Sequence, residues 1–171
     1  MRKLFVILLV LGSISFVYSQ EKEWEVWIPD PTVDDFMGSR IYQVGIQYYT
    51  EFYTDFLMFS YESSSTRKVM LLGRTLSGSD YSFYTLYIRL DDDRMIEIPS
   101  AGSGTYYTDN GRACSSGSFI VEERDLIAII NQKSDTRARV TFFIPYIGVN
   151  DKHDFIIPSE FWQKVEEVIN H

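Results

Sequence analysis

Nucleophilic hydrolysis needs a serine or cysteine beside an imidazole base, and this chain of 171 residues has two histidines, His153 and His171, to supply one. His153 stands in Asn150-Asp151-Lys152-His153-Asp154, a polar turn between two apolar runs, which predicts a solvated loop residue. The single cysteine, Cys114, lies in Arg112-Ala113-Cys114-Ser115-Ser116-Gly117. That small-residue stretch reads either as a partly exposed loop or as the setting of a half-buried inert thiol, the second being favoured because nothing nearby marks an activated thiolate. The serines here and at 63–65 lack the strand-to-helix elbow that exposes a hydrolase nucleophile. Two histidines and one cysteine exclude most zinc and copper sites and any thiolate cluster. No cofactor is expected.

Carboxylates are plentiful but unorganised. Asp91-Asp92-Asp93 and the group Asp30, Asp34 and Asp35 each offer three, yet neither has the spacing of a twelve-residue calcium loop. Three adjacent acids in a turn read as a solvated tip. A glycosidase needs two acids across a scissile bond; with 24 acids in the chain, spacing singles out no pair. The most distinctive supply is aromatic: Tyr42, Tyr48, Tyr49, Phe52, Tyr53, Phe56, Phe59 and Tyr61 fall close together. Tyrosine presents a flat apolar face with a polar tip, which suits a binding surface. Aromatic cross-strand pairs within a sheet use the same residues. Packing is the favoured reading of the group, with Tyr49 and Tyr53 as candidate partner-binding residues.

The elements that would position these groups are strands. Period-two alternation of aromatic and branched residues dominates from Trp24 to Leu90. In 82–90 it places Tyr84, Leu86, Ile88 and Leu90 on a predicted core face, opposite Phe83, Thr85, Tyr87 and Arg89. Alternation returns in Val140, Phe142 and Ile144, and Asp109-Asn110-Gly111 is a hairpin turn signal. Two helical patterns follow: 122–132, with Leu126, Ile129 and Ile130 on one face, and a segment after Pro158 with Ser159 as N-cap and Phe161, Val165, Val168 and Ile169 at helical spacing. The pattern predicts one mainly β domain, a β-sandwich or partly open barrel of about seven to nine strands, with one short internal helix and a C-terminal amphipathic helix.

Met1-Arg2-Lys3, the apolar run Leu4 to Val17 and Val17 and Ser19 at the cleavage positions read as a secretory signal peptide over residues 1–19. The domain then spans 20–171. Cleavage removes Arg2 and Lys3, so the formal net charge falls from -8 by two, to -10. Such acidity argues against nucleic acid and anionic lipid as partners. The expected product is a soluble, non-enzymatic monomer, periplasmic or secreted, that meets a protein or glycan partner. Two further readings stand beside it: a carboxylate-dependent hydrolase of envelope polysaccharide, and an inhibitor with a protruding loop at 100–104 or 112–117.

The order of features carries a resemblance. Trp24-Glu25-Val26 is followed by Asp34-Asp35, then Tyr87-Ile88-Arg89-Leu90-Asp91, Asp125 to Ile130, Arg137-Ala138-Arg139-Val140-Thr141-Phe142, and Asp154-Phe155-Ile156-Ile157 before the last helix. This resembles the small exported bacterial β-sandwich proteins typified by the type VI secretion accessory protein VasI and the invasion-associated locus B proteins. The cysteine pair common in those proteins has no counterpart here. The resemblance implies a non-catalytic exported domain and transfers no binding residue to a named position.

Overall fold

The computed structural model describes residues 23–34, 38–49, 53–63, 68–76, 80–107 and 113–170. The segment 1–19 and His171 lie outside the described residues. The chain is mainly β, with ten strands among the described residues: β1 (Glu23–Trp27), β2 (Thr32–Asp34), β3 (Ser39–Tyr49), β4 (Tyr53–Glu62), β5 (Lys68–Leu76), β6 (Ser82–Arg89), β7 (Met95–Tyr107), β8 (Ala113–Val121), β9 (Thr136–Ile144) and β10 (Val149–Ile157). Two helices complete it, α1 (Glu123–Ile130) and α2 (Ser159–Ile169). The strand count exceeds the expected seven to nine. One reason is that Pro29 and Pro31, which offer no backbone donor, divide the partner of β3 into β1 and β2.

All pairings are antiparallel, in the order β1-β3-β4-β5-β8-β7-β6-β9-β10 with β2 on β3. The long β7 turns the corner. Its residues Met95 to Pro99 pair with β6, and Ser100 to Tyr107 pair with β8, with a register shift between Ser100 and Gly102. Bulged strands that pass from one sheet to another make such corners. The sheet thus curls into a half-barrel, and the side chains of both halves enter one core that includes Ile46, Phe59, Met70, Ile88, Phe119, Val140 and Ile157.

Two local expectations change. Tyr84 is exposed and Phe83 buried, the reverse of the simple alternation, while Leu86, Ile88 and Leu90 face inward as expected. A register shift between Phe83 and Thr85 adds one residue and swaps the faces before it. Phe83 then packs on Gly117, where an added Cβ would stand 2.5 Å from the Phe83 Cβ. The serine-rich stretches at 100–104 and 113–117 belong to β7 and β8 rather than to protruding loops. Paired β7 and β8 flank the Asp109-Asn110-Gly111 turn, which lies outside the described residues.

The helices cover the core. Leu126, Ile129 and Ile130 of α1 and Phe161, Trp162, Val165 and Val168 of α2 are buried. The N-cap of α2 is Pro158, not Ser159, and without a capping side chain of its own the helix borrows one: Ser159 N–H donates to Asp135 Oδ1 at 2.8 Å. The Trp162 indole N–H donates to Thr136 Oγ1 at 2.9 Å, which satisfies a buried donor and fixes α2 to the start of β9. Among the described residues no helix is long and apolar enough to cross a membrane.

Candidate functional site

Two places gather side chains capable of chemistry. The first is the seam where the curled sheet brings its margins together. The polar run at 150–154 is not a loop but the first part of β10, and His153 stands in register with Val140. His153, Phe155 and Ile157 alternate inward while Asp154 and Ile156 point out. His153 Nε2 lies 3.2 Å from Asp55 Oδ2, and both side chains are largely buried, at 23% and 10% exposed. The neighbouring Tyr48 hydroxyl donates to the Ile156 carbonyl at 2.5 Å, and the Tyr48 ring meets Phe155 edge-on at 6.2 Å. Burial, then the negative fields of Asp55 and Asp135, push the Tyr48 phenol well above its ordinary range.

An imidazole beside a carboxylate is a proton-handling pair. Its surroundings decide what it does here. The cavity against it, walled by Tyr81, Phe83, Phe142 and Phe155, is about 10 Å³, barely the space of one water. No substrate fits. The side chains at this seam join β3 and β4 to β10 without a backbone ladder between them.

The second place is the outer face of β7, β6, β9 and β10. Cross-strand register sets its side chains in rows. Met95, Arg89, Arg137 and Ile156 form one row, and Glu97, Tyr87, Arg139 and Asp154 form the next. Inward neighbours Leu86, Ile88, Ala138 and Val140 are core residues, so alternation forces these others outward. All of these except Glu97 line a groove of about 570 Å³, within the range of small-ligand sites. Arg139 makes a fork to Asp154, Nε to Oδ1 at 2.5 Å and an Nη to Oδ2 at 2.8 Å. That pair holds the Asp154 carboxyl below the usual carboxylate range. Arg89 places Nε and an Nη on Asp93 Oδ1 at 3.1 and 2.7 Å. Among the described residues, Arg137 has no carboxylate partner.

The residues singled out from sequence fall elsewhere. Tyr49 closes β3 opposite Thr54, and Tyr53 opens β4 opposite Leu76, but their side chains lie outside those described. Tyr42 and Tyr61 stack across β3 and β4 at 6.4 Å, as sheet packing requires. The acids of 91–93 diverge: Asp91 accepts from the Ser134 hydroxyl, Asp92 from Arg94 and Asp93 from Arg89. Among the described residues no group of three or more His, Cys, Asp or Glu is placed to hold a metal ion. Cys114 is fully buried in β8. A smaller cleft of about 150 Å³ beside α1 and α2 contains Glu123 and Glu166, with Lys68 Nζ 3.8 Å from Glu123. Sequence reasoning did not reach the groove. The signal for it was present in Arg137-Ala138-Arg139-Val140, where basic and apolar residues alternate as they do in Tyr87-Ile88-Arg89-Leu90.

No family model matches the chain, and no curated protein matches it. A solved structure similar to it is the crystal structure of the KRT10-binding region domain of the pneumococcal serine rich repeat protein PsrP. The two are 14% identical, with 78% of this chain and 97% of that one covered at a TM-score of 0.29.

Proposed function

We propose that this chain is an exported, non-enzymatic module, periplasmic or secreted, that binds a protein or glycan partner through the outer groove of β6, β7, β9 and β10. The observation that carries the reading is the groove itself. A chain with formal charge -8 concentrates Arg89, Arg137 and Arg139 beside the half-buried Tyr87 and exposed Met95 and Ile156. Arginine and aromatic residues around an apolar patch are the composition of binding hot spots. Export rests on the charged start and apolar run of residues 1–17. The placing among VasI-type and invasion-associated locus B proteins belongs to the same proposal. Trp24 in β1, Tyr87 and Arg89 ending β6, the basic β9 and the closing β10 and α2 follow that order.

The hydrolase alternative has, among the described residues, the cleft of Glu123 and Glu166 to occupy. At about 150 Å³ it is half the size of the smallest usual ligand sites, and Lys68 already engages Glu123. The binding reading is therefore the stronger.

The test is capture from the organism's own envelope with tagged protein lacking residues 1–19. Wild type should retain a partner that the Tyr87→Ala and Arg137→Glu variants lose while both variants keep the wild-type circular dichroism spectrum. Equal capture by all three proteins refutes the groove as the contact. Turnover of envelope polysaccharide that is abolished by Glu166→Gln refutes the non-enzymatic reading.

A further inference from the structure

We propose that the Met95, Arg89, Arg137 and Ile156 row recognises an extended acidic peptide segment, with Arg137 taking a Glu or Asp carboxylate and the two apolar ends taking a flanking aliphatic side chain. This rests on the groove being the partner site and goes further by naming the partner chemistry.

Arg89 and Arg137 stand directly opposite each other in the β6 and β9 register. Like charges so placed on a sheet repel. The two neighbours of Arg137 are already fixed: Arg89 is held by Asp93 and Arg139 by Asp154. Arg137 lies between them, exposed and, among the described residues, without a carboxylate. Arg137 lines the groove, and a planar guanidinium there can donate two parallel hydrogen bonds to one carboxylate. An incoming acid therefore relieves a repulsion as well as forming a pair.

The ends of the row define the rest of the ligand. Met95 and Ile156 are exposed at 56% and 47%, large apolar side chains flanking a basic centre. Four strands at roughly 4.8 Å separation make a row of about 14 Å, the distance from residue i to i+4 of an extended chain. A peptide with an acid at one position and aliphatic residues two before and two after it sets all three side chains on one face over that length. A sugar matches less well, because its hydroxyls need free acceptors, and Asp154, the acid of the groove, is committed to Arg139.

The test uses the protein without residues 1–19 and three fluorescent probes: an octapeptide of the order Ser-Ile-Ser-Glu-Ser-Ile-Ser-Ser, the same peptide with Gln for Glu, and an oligoglucuronate. The Glu peptide should bind roughly tenfold more tightly than the Gln peptide at moderate salt, the advantage of a charge-assisted fork. Arg137→Gln should erase that preference, Arg137→Lys should restore part of it, and Ile156→Ser should weaken both peptides alike. Equal binding of the two peptides, no binding of either, or a preference that survives Arg137→Gln overturns the proposal. Arg137-dependent binding of oligoglucuronate without the peptide also overturns it, while leaving the groove as a binding site intact. Failure of the groove itself would show separately, as envelope capture that Tyr87→Ala does not alter.

Discussion

Tyr48→Phe tests the closure of the curled sheet at a single oxygen. The ring is 3% exposed and phenylalanine fills the same space, so packing is preserved while the hydrogen bond to the Ile156 carbonyl is lost. Near pH 7 the net cost is about 1 kcal/mol, because the freed carbonyl sits on an exposed residue where water can replace the donor. The pH dependence is the sharper part. The folded state holds the phenol neutral beyond its ordinary range through burial and the nearby acids Asp55 and Asp135. The unfolded chain ionises near pH 10, so above that value the unfolded state binds fewer protons and wild-type stability falls. The stability conferred by the neutral phenol is thus complete below about pH 10 and drains away as pH rises, by up to about 1.4 kcal/mol per pH unit. Tyr48→Phe has no such proton to lose. Its deficit at neutral pH should close between about pH 10.5 and 11, where wild type has lost about 1 kcal/mol from this group. Urea unfolding followed by tryptophan fluorescence, at steps from neutral to about pH 11, measures both curves. Other tyrosines and the lysines titrate in both proteins and cancel in the difference. A gap that stays constant across that range would refute the account of a phenol held neutral at the seam.

Three further outcomes follow from the packing. Thr136→Val removes the acceptor of the buried Trp162 indole and should cost about 1 to 3 kcal/mol in urea unfolding, with Thr136→Ser restoring most of it. Gly117→Ala sets a Cβ 2.5 Å from the Phe83 Cβ, an atom too near its own backbone to swing aside, and should destabilise by about 1 to 3 kcal/mol. Combined with Phe83→Ala, the cost should be less than additive. Cys114, buried in β8 between β5 and β7, should react with a thiol reagent slowly in the folded protein and at once in urea; fast labelling of the native state would contradict its placement.

Much of the fold was legible because alternation is a local property. Leu86, Ile88, Val140, Leu126 and Val165 face the core as their spacing requires. The errors lie where a non-local fact intervenes. A bulge reverses the faces at Phe83 and Tyr84, and its existence depends on how β6 meets β9 rather than on β6 alone. His153 looked solvated because four polar residues surround it in sequence, yet β10 lies over Asp55, almost a hundred positions earlier, and the strand turns His153 toward it. The stretch 113–117 looked like a loop because it is built almost wholly of small residues, with no large apolar side chain to mark a strand face. It is a strand because β5 and β7 pair with it on both sides.

The groove is the complement of what was read correctly. Each residue assigned to the core in Tyr87-Ile88-Arg89-Leu90 and Arg137-Ala138-Arg139-Val140 commits its neighbours to the opposite face. What single strands cannot reveal is that β6 and β9 pair in a register that sets Arg89 against Arg137 and Tyr87 against Arg139. A shift of two residues would leave the same side chains facing inward and set Arg89 against Asp135 in one direction and against Arg139 in the other. Core packing therefore fixes only which residues point outward; the pairing of like charges is an additional choice of register, and one that costs stability on its own. A surface that accepts such a cost at Arg137, while neutralising Arg89 and Arg139 on either side, has the form of a site kept open for an anion.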